Sequence, residues 1–253
     1  LNLYENNFHE LSIPWFELMM EWMSMSYQNF KDHEKYLILI YLISRTFDFY
    51  SKNFITINYE KFYELKKVEI QKFSVTEISK KLNISKETAR RKIMELEKIG
   101  IITKHKKKLL INKNAFDIQK PEKILKIILS FLNRVSKISF ANKVISREIT
   151  TEEFSNCILK NFSHAWKLWY QMLIPNLLSW KNIHKDLETF HVFGTIVTNQ
   201  NYEMKKYIKK EKLIIKNRNE YLNTLLKLDE KRGINAMSIS NMTGIPRATI
   251  IRK

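Results

Sequence analysis

FSVTEISKKLNISKETARRKIMELEKIGIITKHKKKLLI, residues 73–111, decides how the rest of the chain is read. Ser74 followed three positions later by Glu77 is a capping-box pattern, in which the serine oxygen accepts a first-turn N–H and the glutamate accepts the serine's own. A helix starting at Val75 then puts Ile78 and Leu82 on one face. Asn83, Ile84 and Ser85 interrupt it, because short polar side chains compete for backbone groups, and Ser85 is suited to cap a second helix that starts at Lys86. Ala89, Ile93, Leu96 and Ile99 form the apolar stripe of that helix. Glu87, Thr88, Arg91 and Glu95 then face away from it, with Lys86, Arg90 and Lys92 on the flanks. Gly100 supplies a left-handed residue to end the helix. Two β-favouring runs, 101–103 and 109–111, flank five polar residues and predict a hairpin.

Helix, turn, helix and hairpin in this order make a winged helix-turn-helix. Glu77-Ile78-Ser79, Leu82-Asn83-Ile84-Ser85, Thr88, Ile93, Leu96 and Gly100-Ile101-Ile102 resemble the pattern of bacterial winged-helix transcription regulators of the Crp and GntR kinds. The resemblance covers about forty residues and implies double-stranded DNA as partner. An α-helix fits the major groove and presents its first turns to base edges while the preceding helix crosses the backbone. On that basis Glu87, Thr88 and Arg91 are candidate base contacts, with Arg91 able to bind guanine through two hydrogen bonds. Lys86, Arg90 and Lys92 are candidate phosphate contacts, joined by the wing lysines Lys104, Lys106, Lys107 and Lys108. His105 is read as a bystander.

A second, shorter version of the pattern closes the chain as NAMSISNMTGIPRATIIRK, residues 235–253. Gly244 stands where the turn wants a positive φ, and Pro246 pre-sets the first turn of the next helix. The run from Thr243 to Arg252 resembles the helix-turn-helix of IclR-type regulators. It adds Thr249 and Arg252 as candidate base contacts and Arg247 and Lys253 as phosphate contacts. No glycine stop or wing follows, so this copy reads as truncated. The chain also begins with Leu1 rather than methionine, which is the pattern of a piece of a longer protein.

The two copies belong to a wider repetition. With a shift of 154 residues Phe8 meets Phe162, Trp15 meets Trp169, Phe16 meets Tyr170 and Leu42 meets Ile196. With a shift of 161, Ile78-Ser79 meets Ile239-Ser240, Thr88 meets Thr249 and Arg91-Lys92 meets Arg252-Lys253. A tandem duplication with seven extra residues in the linker accounts for both. The expected organisation is an N-terminal helical segment (1–70), a winged helix-turn-helix (71–119), connecting helices (120–150), a second helical segment (151–230) and a second helix-turn-helix (231–253).

The helical segments rest on periodicity. Residues 8–27 carry apolar side chains at spacings of three and four, and 36–43 are apolar all round, which marks a helix buried among neighbours. Pro121 starts a further helix, Glu152 to Trp169 predicts another, and Pro175-Asn176 predicts a break. Segments about 177–180, 187–197 and 202–216 complete a mostly α chain. The tryptophans, and Met19, Met20, Met23 and Met25, fall at core spacing.

Composition bounds the function. Forty-four cationic against 26 acidic residues give a formal charge of +18, which favours an anionic partner. Thirty-five of the cations are lysine in an Asn- and Ile-rich chain, so arginine is the cleaner signal, and four of the nine arginines fall in the two candidate recognition helices. The single cysteine, Cys157, is read as a small core hydrophobe and excludes an internal disulfide. The longest apolar run is far short of the roughly 20 residues of a membrane span, so a cytoplasmic, nucleoid-associated protein with no membrane partner is expected. Scattered histidines give no metal site, and neither a Gly-rich phosphate loop nor a nucleophile elbow occurs. No cofactor and no enzymatic activity are therefore expected. Two roles stay open: a transcription regulator acting as a covalent pseudo-dimer, monomeric with two heads though a dimer is not excluded, and a plasmid- or phage-type replication initiator with tandem winged helices.

Overall fold

A computed structural model describes residues 2–70, 74–105, 108–118, 122–227 and 233–253. The elements in chain order are α1 (Asn2–Asn6), α2 (Phe8–Phe30), α3 (His33–Lys52), α4 (Tyr59–Glu64), β1 (Lys67–Ile70), α5 (Val75–Leu82), α6 (Lys86–Lys98), β2 (Ile102–His105) and β3 (Lys108–Asn112). There follow α7 (Lys113–Ile118), α8 (Glu122–Ala141), α9 (Thr151–Lys160), α10 (Phe162–His184), α11 (Leu187–Lys210), α12 (Arg218–Lys227), α13 (Ala236–Thr243) and α14 (Arg247–Ile251). The chain is mostly α, as its periodicity predicts. It divides into two compact units that do not follow consecutive sequence: a winged unit, Asn29–Pro121 with Ser155–Leu187, and a terminal unit, Leu1–Gln28 with Glu122–Phe154 and Glu188–Lys253.

In the winged unit α3 is the central strut. Tyr36, Leu37, Ile38, Leu39, Ile40, Leu42 and Ile43 are all buried, because α10, α5, α6 and β1 cover successive faces of the helix. Asp32 starts it by accepting the Glu34 and Lys35 N–H groups at 2.8 and 3.0 Å. His33, in the first turn, is completely enclosed. Burial disfavours its charged form and pulls its pKa down to about 3, so the ring is neutral across the physiological range. A ring cluster of Phe47, Phe62, Phe116 and Phe162 joins α3, α4, α7 and α10, with Phe62–Phe116 centroids at 4.9 Å and Phe47–Phe62 at 5.2 Å.

The sheet has the order β1-β3-β2 and is antiparallel throughout, with Val68 and Ile102 both opposite Ile111. The apolar periodicity of the sequence does not announce β1. Val68 and Ile70 are its buried positions, an alternation too short to stand out without the partner strand β3.

The terminal unit contains α2, α8, α11, α12, α13 and α14. One cluster joins Tyr27, Val192, Ile239, Ile245 and Ile250. Another joins Met204, Ile215 and Tyr221, where the Tyr221 hydroxyl donates to Asn201 Oδ1 at 2.7 Å.

Several sequence expectations change. Pro175 does not break its helix, since α10 runs unbroken from Phe162 to His184. The proline lies on an exposed face, where the carbonyl it deprives of a donor can turn to water. The helix predicted from Glu152 to Trp169 divides at Asn161 into α9 and α10, and the two segments expected at 187–197 and 202–216 merge into the single helix α11, which ends at Lys210. Cys157 is exposed rather than core, on a helix with no buried residue. The predicted helix start at Pro121 lies outside the described residues. Among the described residues, no helix is long and apolar enough to cross a membrane.

Candidate nucleic-acid interface

α5 and α6 are built as their sequence dictates, with one substitution of partner. Ser74 Oγ accepts the Glu77 N–H at 3.4 Å. The Glu77 carboxylate turns to α3 instead of back to Ser74, accepting from the Tyr41 hydroxyl at 2.9 Å and pairing with Arg45. Burial pushes the Glu77 carboxyl up, but the hydrogen bonds from Arg45 and Tyr41 outweigh it and hold the group below its ordinary value. The first helix is thus anchored as a carboxylate on the strut behind it.

The turn closes through backbone and side chain together. Asn83 is left-handed at φ +50°, and Ser79 Oγ donates to the Ile84 carbonyl at 2.7 Å. Ser85 Oγ accepts the Thr88 N–H at 3.0 Å and caps α6. Ile78, Leu82, Ala89, Ile93 and Leu96 are buried, as their spacing predicts. Ile99 is not: it is 52% exposed at the helix C-cap, just before Gly100 turns left-handed at φ +74°.

This packing leaves Lys86, Glu87, Arg90 and Arg91 exposed along α6 and Thr88 half-buried. Arg91 has 65% of its side chain open, with its Nε only loosely associated with Glu95 at 3.8 Å. The Thr88 hydroxyl is shared with Ser85 Oγ at 2.9 Å, which favours methyl presentation over hydroxyl donation. Lys92 departs from its assigned role. Its side chain is 12% exposed and bound to Asp32, with Glu95 at 3.6 Å. Burial would lower its pKa, but the bond to Asp32 raises it above the ordinary value. Lys92 is an inward fastener, so it leaves the phosphate-contact set. One Asp32 oxygen caps α3 while the other holds α6, and this fixes the recognition helix against the strut.

On the wing, Lys104 pairs with Glu97 at 3.1 Å and Lys108 with Glu69 at 2.9 Å. Exposed pairs of this kind contribute about 0–1 kcal/mol, so neither lysine is firmly held by its carboxylate. Lys106 and Lys107 lie outside the described residues.

In the terminal unit α13 and α14 repeat the local geometry. Asn235 Oδ1 accepts the Ser238 N–H at 2.9 Å, Gly244 is left-handed at φ +74°, and Ser240 Oγ donates to the Ile245 carbonyl at 2.7 Å. Ile239, Thr243, Ile245 and Ile250 are buried. Arg247, Arg252 and Lys253 are exposed and Thr249 half-buried. Arg252 lies back along its own helix, its Nε donating to the Ala248 carbonyl at 3.1 Å. Pro246 stands one place before the predicted first helical position, with φ −56° and ψ 135°. Among the described residues no group of three or more His, Cys, Asp or Glu side chains is placed to hold a metal ion.

Residues 68–114 match the model of the DeoR-like helix-turn-helix domain. The match runs from β1 into α7 and so takes in both helices and the wing. The match supports a DNA-binding helix-turn-helix of the transcription-regulator kind in this segment, and it is to the DeoR-like domain, whereas the sequence motif resembles Crp and GntR types. No curated protein and no solved structure matches the chain.

Proposed function

We propose that this protein is a sequence-specific double-stranded DNA-binding transcription regulator that acts as a covalent pseudo-dimer, with α6 and α14 entering successive major grooves. The observation that carries the paired reading is a recurrence. The bond from Ser79 Oγ to the Ile84 carbonyl and the bond from Ser240 Oγ to the Ile245 carbonyl are both 2.7 Å long and lie 161 residues apart. The N-caps Ser74 and Asn235, the left-handed residues Asn83 and Gly244, and the buried residues Ala89 and Ile250 keep the same offset. A second helix-turn-helix explains all of them at once.

In this reading Arg91 and Arg252 bind guanine edges, Thr88 and Thr249 meet a thymine methyl, and Glu87 accepts from cytosine. Arg252 must leave the Ala248 carbonyl to do so. Lys86, Arg90, Arg247 and Lys253, with the wing lysines Lys104, Lys106, Lys107 and Lys108, hold phosphates and set register without reading sequence. Carrying both heads on one chain replaces association of two subunits by a high effective concentration, so a monomer can serve where a dimer is usual.

Selection of bound sequences from a random duplex pool tests the assignment. A two-part consensus is expected, with affinity falling steeply as salt rises. Arg91→Ala should cost about 1–3 kcal/mol and relax one position of that consensus. Absence of any enriched sequence, or binding indifferent to salt, contradicts the reading.

A further inference from the structure

α2 and α10 are each 23 residues long and begin at Phe8 and Phe162, 154 residues apart. The residue before each is an asparagine whose Nδ2 donates four residues back, from Asn7 to the Leu3 carbonyl at 2.9 Å and from Asn161 to the Cys157 carbonyl at 3.0 Å. The helices that follow, α3 and α11, begin at His33 and Leu187, again 154 apart. Two repeats folding side by side would set α2 on α3 and α10 on α11. The observed pairing is crossed.

α10 packs on α3 within the winged unit. α2 packs on α11 within the terminal unit, where Ser24 Oγ meets His191 Nε2 at 3.0 Å and Gly194 leaves room for Met20, whose sulfur a Cβ there would strike.

The crossed contacts correspond residue by residue. Gln171 donates to Asp48 at 3.4 Å, and the matching pair Glu17 and Tyr202 is also hydrogen-bonded. Asn83, at the turn of the first helix-turn-helix, donates to Asn182 Oδ1 at 3.2 Å, and its carbonyl accepts from Lys181 at 3.2 Å. At the corresponding turn, Gly244 faces Gln28 and Tyr27, which occupy the places of Asn182 and Lys181 after the shift of 154. Similar apolar helices pack together readily, but a polar pair that recurs at the fixed offset with donor and acceptor exchanged, beside a turn contacted from the same two positions, is not expected of incidental packing.

We propose that the two repeats exchange their leading helices, so that the end of α10 braces the turn of the first helix-turn-helix and the end of α2 braces the turn of the second. This is domain swapping carried out inside one polypeptide. Lys181, Asn182, Tyr27 and Gln28 are then positioning residues, each acting on the head that the other repeat supplies. Neither head is complete without the opposite half. The inference rests on the duplication in the reading above and not on DNA being the ligand.

Paired cysteines in the full-length chain, with Cys157→Ser to remove the native thiol, test it. A disulfide forms where the two Cα atoms lie within roughly 4.4–6.8 Å. Under mild oxidation in dilute solution, Asn83→Cys with Asn182→Cys should close within one chain in most molecules, read by mass spectrometry of the unreduced digest. Asn83→Cys with Gln28→Cys, the pair that unexchanged repeats would bring together, should stay open. Because position 83 is left-handed and a variant there risks misfolding, Glu34→Cys with Lys181→Cys, bridged by a short bismaleimide, asks the same question from α3. Failure of the Glu34–Lys181 pair to link, or closure of Asn83→Cys with Gln28→Cys as readily as with Asn182→Cys, overturns the exchange. Binding of the linked protein to the random duplex pool separates the two ideas: linkage without binding leaves the exchange standing and sinks the DNA reading.

Discussion

The two helix-turn-helix segments, 74–99 and 235–252, solve one geometric problem with different residues. Position 82 of the first and 243 of the second are both completely buried, yet one is leucine and the other threonine. Leu82 fills its site with apolar volume. Thr243 turns its hydroxyl onto the backbone, donating to the Ile239 carbonyl at 2.8 Å and accepting the Ile245 N–H at 3.1 Å. Downstream the imbalance reverses, for Ala89 in the first segment stands where Ile250 fills space in the second. In the first segment α6 is tied to α3 through Lys92 and Asp32, whereas in the second α14 starts after a proline without a side-chain cap. The backbone path is common to both, and what fastens it differs.

That contrast yields graded expectations. Leu82→Ala should cost about 2–5 kcal/mol, because it empties a closed site between α5 and α6. Thr243→Ala should cost less, about 1–2 kcal/mol, since it removes one methyl and a hydroxyl and leaves the buried Ile245 N–H unpaired. Urea unfolding of the two variants checks the order, and equal losses would contradict the claim that the two heads are held differently. Asp32→Ala should cost about 2 kcal/mol, from the lost cap and from leaving Lys92 with Glu95 alone. A retained midpoint in urea would show that neither the cap on α3 nor the bond to α6 contributes to stability. Gly244→Ala should cost about 1–2 kcal/mol because an L side chain strains a left-handed residue, whereas Asn83→Gly, which relieves that strain but loses the Asn182 bond, should change stability by less than about 1 kcal/mol. Thermal unfolding distinguishes these, and a neutral Gly244→Ala would break the equivalence of the two turns.

How much of this could be read beforehand follows from the range of each interaction. Ser74, Asn83, Ser85, Gly100 and Gly244 act on backbone groups a few residues away, so their roles were legible in the chain itself, as were the apolar positions 78, 82, 89, 93 and 96. Partners distant in sequence were not. Glu77 looked like half of a capping box because Arg45 and Tyr41 are more than thirty residues away. Lys92 looked like a phosphate contact because its periodicity places it on a flank, and only the tertiary fold brings Asp32 to it. β1 needed β3 to become a strand, and Pro175 reads as a break unless its exposed place on α10 is known. The spacing of the sequence carries the proposed duplication, whereas the exchange proposed for its leading helices has no local signature at all.

Hydroxyl-radical footprinting of the monomeric protein on a duplex chosen by selection tests the central claim most directly. Two protected patches are predicted, separated by about one helical turn or a multiple of it. Arg252→Ala should erase one patch and leave the other. A single patch that Arg252→Ala leaves unchanged would contradict a chain with two reading heads.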